Sequence, residues 1–311
     1  MTVWRDWPLE FDPAAYRGRY TDLAAMSDED LWRHWRNHGR IEGRNATVLE
    51  SREDFARLVA HDARALEIGP YTKPVLRGPN VRYADVWSTD ELVRRATTDP
   101  NVDPAGVPVI HHVTAPSSLD VITEKFDVVL SSHVIEHQPD FIEHLEQVGS
   151  VLAPGGVYML MVPDHRYCFD HFMPETRLVD VAAAHVERRS RHDVNSILRA
   201  RLLMTHNDAA RHWSGDHGEP GGAPDPHLAT MSMRERIELT AVQTAPGGAL
   251  TTDYVDCHAW HFTPQSFHSL MGDLYAAQLT DWQIVRLYPT MRNTLEFWVI
   301  LQRATKYFAR G

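Results

Sequence analysis

Three short stretches of this chain bring together residue types that can move protons or hold metal ions. The first is His133-Val134-Ile135-Glu136-His137, two imidazoles around a carboxylate. The second runs Asp164-His165-Arg166-Tyr167 and continues with Asp170-His171. The third places Asp256, His258, Trp260 and His261 within a span of six residues. An imidazole with an ordinary pKa near ~6.5 can take a proton from a hydroxyl at neutral pH, and an acid beside it orients the ring. His133, Asp170, His171 and His258 are therefore expected to be catalytic. Arg166 suits a carboxylate or phosphate through a bidentate pair. Tyr167, Trp260 and His261 are expected to join it as walls of an acceptor pocket. His133, Glu136 and His137 together also suit zinc, iron or manganese. H-x-x-E-H spells a peptidase motif too, but that motif belongs on a long helix, and here it follows a strand. His185, His192, His206, His212 and His217 are expected on surfaces or at caps, with Trp213 as a lid contact.

The elements that must position these groups alternate. Strand-like runs occupy 64–68, 81–85, 107–112, 126–131 and 156–162. Helical patterns occupy 72–77, 89–96 and 139–152. Alternation of this kind builds a parallel sheet with crossover helices, and ligands sit beyond the carboxyl ends of its strands. Both His133 and Asp164 fall at such ends. Residues 164–258 break the rhythm with helical stretches at 176–189, 194–211 and 231–243 and a Gly/Pro-rich loop from Gly215 to Pro226. This reads as a histidine-rich insertion covering the ligand edge. A helix from Thr263 to about Leu279 and two strands, 282–287 and 296–301, close the sheet, with a turn at Arg292-Asn293. Before the sheet, residues 1–48 form a helical extension. Ser27 caps a helix whose Leu31, Trp32, Trp35 and His38 recur at helical spacing, with Gly39 as its stop. The expected division is 1–48, 49–163, 164–258 and 259–311.

Ala63 to Asp85 supplies the parts of a nucleotide pocket. A short apolar strand ends at the Gly69-Pro70 turn, and the next strand ends in an acid, Asp85, placed to accept ribose hydroxyls. Composition bounds the rest. The 311 residues carry a formal net charge of −11, so generic binding to a nucleic-acid backbone is not expected. No apolar run reaches the ~18 residues of a membrane span, and the first residues lack a signal pattern, so the cytoplasm is the expected compartment. Two cysteines, Cys168 and Cys257, make no disulfide framework. No Walker loop or G-x-S-x-G elbow is present.

Four ordered motifs resemble class I S-adenosylmethionine-dependent methyltransferases: LEIGP at 66–70, VRYAD at 81–85, FDVVLSSHVIEH at 126–137 and VLAPGGVYMLMVPD at 151–164. The resemblance implies a Rossmann-like α/β sheet of seven strands whose last hairpin is antiparallel. It implies S-adenosylmethionine as cofactor. Glu67, Gly69 and Pro70 would lie against its methionine part, and Asp85 would take the ribose. Ser117 and Leu119 would lie near the adenine, and Ser131, Ser132 and His133 beside the sulfonium. Two departures stand out. Pro70-Tyr71 replaces the usual open second glycine, and Thr114-Ala115-Pro116-Ser117 replaces an acid that commonly reads the adenine. Some O-methyltransferases of small-RNA ends and of ubiquinone synthesis carry E-x-x-E-H with a divalent ion where this chain has His133-x-x-Glu136-His137.

The expected function is methylation, at oxygen, of a small-molecule or sugar-containing acceptor with a histidine base, in biosynthesis. Two other readings stay open. One is metal- or acid/base-driven chemistry on the same fold, such as cyclisation, elimination or decarboxylation. The other is a non-catalytic module of glycan assembly, hinted at by the resemblance of Tyr16–Arg44 to helical segments beside bacterial glycan-assembly enzymes. Homo-oligomerisation is left open by the sequence.

Overall fold

The computed structural model describes residues 7–222, 228–245 and 255–304. Residues 223–226 of the Gly/Pro-rich loop lie outside them. The strands are β1 (Ala65–Ile68), β2 (Val81–Asp85), β3 (His112–Val113), β4 (Phe126–Ser132), β5 (Leu152–Pro163), β6 (Trp282–Tyr288) and β7 (Glu296–Arg303). The α-helices are α1 (Pro13–Arg19), α2 (Asp28–His34), α3 (Arg52–Ala56), α4 (Thr89–Thr98) and α5 (Phe141–Val151). They continue with α6 (Leu178–Val186), α7 (Val194–Leu203), α8 (Ala209–Trp213), α9 (Met233–Thr244) and α10 (Pro264–Ala276).

The seven strands lie in the order β3-β2-β1-β4-β5-β7-β6. The first five run parallel, and β7 runs antiparallel between β5 and β6. This is the class I methyltransferase sheet. The order reverses between β1 and β4, the place where a doubly wound sheet opens a crevice for its ligand. Register brings the strand tips level, with Ile68 opposite both Ala84 and Ser131, and Ser131 opposite Leu160. The acids and histidines that follow these residues therefore meet at one edge.

Period-two alternation sorts the strand side chains to two faces. Val129, Tyr158, Leu160 and Val162 pack with Phe141, Leu145, Val181 and Phe267, on the side of α5, α6 and α10. Val128, Leu130, Val157, Met159 and Met161 pack with Phe55 and Leu49 on the other side. The extension has its own small core of Tyr16, Leu23, Leu31, Trp35 and Ala46.

Several expected elements differ from those observed. Residues 72–77 form no helix, because Pro74 removes an N–H and clashes with the preceding turn. The segment is held instead by the Glu67 carboxylate, which accepts the Val75 and Leu76 N–H groups at 2.8 and 2.7 Å. Of 107–112, only His112 joins a strand, continuing to Val113. Pro108 lacks a ladder donor, and Ile110 N–H goes to Thr89 Oγ1 at 2.8 Å. The helix expected over 194–211 is broken, since Asp208 caps a new helix by accepting Arg211 N–H at 3.1 Å. In the extension, α2 passes into a π-helical turn, Trp35–Gly39. Gly39 does not end the helix in a left-handed cap. Its missing side chain admits the Tyr16 hydroxyl, which a Cβ there would strike. Trp35 is buried, whereas Trp32 is 43% exposed.

Candidate active site

The cofactor edge is built from the tips of β1, β2 and β4. Gly69 adopts φ +67°, a left-handed turn that glycine takes without strain, and an added Cβ would meet Val134 Cγ2 at 2.8 Å. Tyr71 and His133 also have positive φ, at 42° and 55°, so the backbone is bent sharply on both sides of the crevice. Asp85 is buried at the end of β2, where its Oδ1 accepts Trp87 N–H at 3.0 Å. Burial raises its carboxyl above the ordinary value, against the pull of the Trp87 and Val86 N–H groups. Glu67 is spent on the loop 75–76, and burial pushes its pKa up to about 7. It shapes the crevice floor through backbone rather than by reaching into it.

The β4 tip divides its work. The Ser131 hydroxyl bonds Tyr158 Oη at 2.7 Å, and Tyr158 Oη bonds His144 Nε2 at 2.9 Å, a chain that runs into the core on the α5 side. Burial lowers His144 to about 4, so this imidazole is neutral. Ser132 Oγ receives Arg52. His133 turns across β5, and its Nε2 meets Glu296 Oε2 at 2.7 Å. Glu296 also takes Arg52 Nε and Trp298 Nε1, each at 2.9 Å. Arg52 and Glu296 had no motif to announce them. Beyond β3, Ser117 has φ 57°, and Leu119 is buried with its N–H on Gln147 Oε1 at 2.8 Å.

Glu136 sits beneath this edge and is 1% exposed. Neither of its carboxylate oxygens has a hydrogen-bond partner among the described residues, an arrangement that costs free energy unless a cation or donor fills it. His258 Nε2 lies 3.8 Å from Glu136 Oε1, and His137 Nε2 lies 3.9 Å from it. The other nitrogen of each ring faces a carboxylate. His258 Nδ1 meets Asp170 Oδ2 at 2.5 Å, and His137 Nδ1 meets Asp256 Oδ1 at 2.8 Å. The two rings cross at 86°, with centroids 4.4 Å apart. One ligand atom from each of Glu136, His137 and His258 falls within 4.8 Å of the others, so these three residues could hold a metal ion. His133, expected with them, is instead engaged by Glu296.

The extended segment 258–262 explains the meeting. Ala259 N–H donates to Glu136 O at 2.8 Å, and Trp260 Nε1 donates to Gln138 O at 2.6 Å. Asp256 and His258, two residues apart, thus reach the same cluster, while Trp260 is buried against Phe141. Charge reinforces the arrangement. Burial opposes a charged His137, yet its bond to Asp256, with Glu136 and Asp170 nearby, raises it to about 9. Burial also works against an ionised Asp170, but His258, His261 and His165 hold its carboxyl below the ordinary value. His261 Nε2 stands 3.9 Å from Asp170 Oδ1, and burial lowers its pKa to about 4.

Asp170 and His171 point to different places. His171 Nδ1 donates to Arg166 O at 2.8 Å, and its ring lies flat on His217 at 3.7 Å and 9°. His212 joins them, with Nε2 on His206 O at 3.0 Å and Nδ1 at 3.1 Å from His217 Nδ1. Burial lowers both His212 and His217. Arg166 forms the bidentate pair expected of it, but with Asp164, at 2.9 and 2.6 Å. Tyr167 stacks on Trp213 at 3.8 Å and 9°, tying α8 over the β5 tip, and Trp213 Nε1 donates to Thr294 O at 2.9 Å.

Comparison with known proteins returns several methyltransferases. A ubiquinone biosynthesis O-methyltransferase of Paramagnetospirillum magneticum is 46% identical over 59 residues, which are 19% of this chain and 23% of that relative. The CcbJ methyltransferase of Streptomyces caelestis is similar over 81% of this chain and 94% of its own, at 13% identity and a TM-score of 0.39. An S-adenosylmethionine-dependent methyltransferase of Clostridium acetobutylicum is similar over 78% and 84%, at 10% identity and a TM-score of 0.38. The family model described as a methyltransferase domain matches residues 31–202, more than half of the chain, which therefore belongs to that family as a class I S-adenosylmethionine-dependent methyltransferase.

Proposed function

We propose that the chain methylates an oxygen of a small-molecule acceptor held over Glu136, His137 and His258 with the help of a divalent cation. The observation that carries this reading is the buried Glu136 carboxylate, both of whose oxygens lack hydrogen-bond partners among the described residues. Two histidines and a carboxylate suit zinc, manganese or iron. When bound, such a cation supplies Lewis acidity and lowers the pKa of an oxygen it contacts. Asp170 and Asp256 keep the two imidazoles in the tautomer that turns Nε2 toward Glu136. Asp85 anchors the ribose, and the bend at Gly69 lets backbone approach the rest of the cofactor. The stacked Tyr167–Trp213 pair would wall the acceptor side and exclude water. The relative's designation as an O-methyltransferase supports oxygen as the atom modified.

Protocatechuate, with adjacent hydroxyls, is a suitable probe acceptor. Expected is a singly O-methylated product whose formation stops on chelation and returns with Mn2+. Turnover indifferent to chelation would sink the role of the cation. Transfer to nitrogen or carbon acceptors but never to a hydroxyl would sink the choice of atom.

The same residues support a second reading on the His258–Asp170 bond of 2.5 Å. His258 would then take the acceptor's proton itself, oriented by Asp170. Full activity in rigorously metal-free protein, lost with His258→Ala, would favour it.

A further inference from the structure

A cavity of about 860 Å³ opens along β6, the outermost strand on the side of the sheet away from the β1–β4 crevice. One wall is the extension, with Phe11, Trp32, Trp35, Arg36 and Arg40; the other is the start of α10 and the turn carrying Arg166. None of Asp85, Gly69, Glu136 or His258 lines it. Its volume falls within the ~300–1,000 Å³ of small-molecule sites.

The lining is unusual in its charges. The chain carries a formal net charge of −11, and the other described arginines of the extension are paired with acids: Arg17 with Asp28, Arg19 with Glu50, Arg33 with Glu29, and Arg44 with Asp22. Among the described residues, no carboxylate pairs with Arg36 or Arg40. Their guanidinium groups sit over indoles instead, Arg36 at 5.9 Å from the Trp32 ring and Arg40 at 5.3 Å from the Trp35 ring. Two like charges four residues apart on a helix repel, and both lie within the π-helical turn Trp35–Gly39 or directly after it, a geometry that recurs at functional sites. Arg166 adds a third guanidinium, of whose five donors two are used on Asp164. Among the described residues the one acid in the lining, Glu10, accepts Leu287 N–H at 3.1 Å. Trp32 stays 43% exposed while packing edge-on to Phe11 at 5.1 Å. An exposed indole beside two guanidinium groups, Arg36 and Arg40, that no described carboxylate pairs is a platform for a ring that bears a negative group.

We infer that this cavity binds a ring-bearing anion, with the ring against Trp32 and the phosphate or carboxylate between Arg36 and Arg40. The inference stands apart from the chemistry at Glu136 and does not draw on it. A sugar phosphate and an aryl phosphate share the required chemistry, and the experiment separates them.

The intact chain is titrated with glucose 1-phosphate and with phenyl phosphate, followed by calorimetry and tryptophan fluorescence. Glucose, phenol and inorganic phosphate serve as half-ligands. Expected is a dissociation constant below about 1 mM for one of the two phosphates, with each half-ligand weaker by about tenfold or more. The Arg36→Gln/Arg40→Gln double variant, at two exposed positions, should lose about tenfold or more of that affinity. It should bind S-adenosylhomocysteine as the parent does, which reports an intact fold. Failure of both phosphates to bind by about 10 mM, or equal affinity in the double variant, overturns the inference.

Discussion

Two groups of histidines lie near the end of β5, and their rings meet in different ways. His137 and His258 meet edge to face, at 86°. His171 and His217 lie flat on each other, at 9°. The lone pair of an imidazole lies in the ring plane, so two rings share an ion only where both planes pass through it. Crossed rings can do this, and rings stacked 3.7 Å apart cannot. The outer nitrogens differ as well. Carboxylates face those of His137 and His258, whereas backbone carbonyls face those of His171 and His212. The first group accumulates negative charge around unsatisfied oxygens and is suited to a cation. In the second, no carboxylate oxygen among the described residues bonds a ring nitrogen of His171, His212 or His217, and Asp216, the acid near His217, is spent on Arg211 and the Gly218 N–H. Three histidines within ligand distance are thus not sufficient; ring orientation and the outer partner decide what they are for.

This contrast can be broken most decisively at Glu136. Glu136→Gln is expected to abolish stoichiometric metal, measured by elemental analysis, and to lower methyl transfer by roughly 10²–10⁴-fold. Metal retained at full occupancy would remove the distinction between the groups. Asp170→Asn keeps the volume but weakens the hold on His258, and should cost about 10–100-fold in Mn2+ affinity by calorimetry. An unchanged affinity there would mean that the outer carboxylate is packing alone.

The pH dependence sharpens the comparison further. His137 is held at about 9, so a proton must leave before this ring can bind a metal. Mn2+ affinity should therefore rise by up to about tenfold per pH unit between roughly 6.5 and 9, then level. In metal-free protein the same raised pKa stabilises the fold below the ordinary value near 6.5. That contribution fades as pH rises through about 9, which thermal melts would follow. A flat profile in both measurements would refute the charge argument. The smallest effect is expected at the stacked group. His217→Ala should leave metal content and kcat at parental values and cost only about 1 kcal/mol of stability by denaturant melts. Loss of metal in that variant would reverse the roles of the two groups.

Much of the parallel half of the sheet was legible because its signals are local. β2 ends in Asp85 as the spacing required, and the strand–turn–acid order needed nothing from elsewhere in the chain. Asp256 and His258, two residues apart, reach the same cluster, while Trp260, the next residue of that alternation, turns into the core against Phe141. What escaped was long-range. His258 and Asp170 meet across 88 residues, and His133 and Glu296 across 163. No spacing rule connects such positions, so His133 was grouped with its neighbours Glu136 and His137 and Asp170 with its neighbour His171. Arg52 and Glu296 lay in unmarked sequence; the antiparallel placement of β7 against β5 brings Glu296 to the site, and α3 carries Arg52 to meet it. Local patterns failed where one residue overruled a periodicity, as Pro74 did for 72–77 and Asp208 for 194–211.

The position of Glu296 has a consequence for synthesis. It opens β7 and ties together His133, Arg52 and Trp298. A ribosome adds roughly 5–20 residues per second, so the strands that cradle the cofactor emerge many seconds before β7 does. Until then β5 is an uncapped sheet edge, with its hydrogen-bonding groups and the β4 tip still waiting for their partners. The half of the protein that reads most clearly as a methyltransferase is made first, and the nascent chain must shield that edge until one of its last strands arrives.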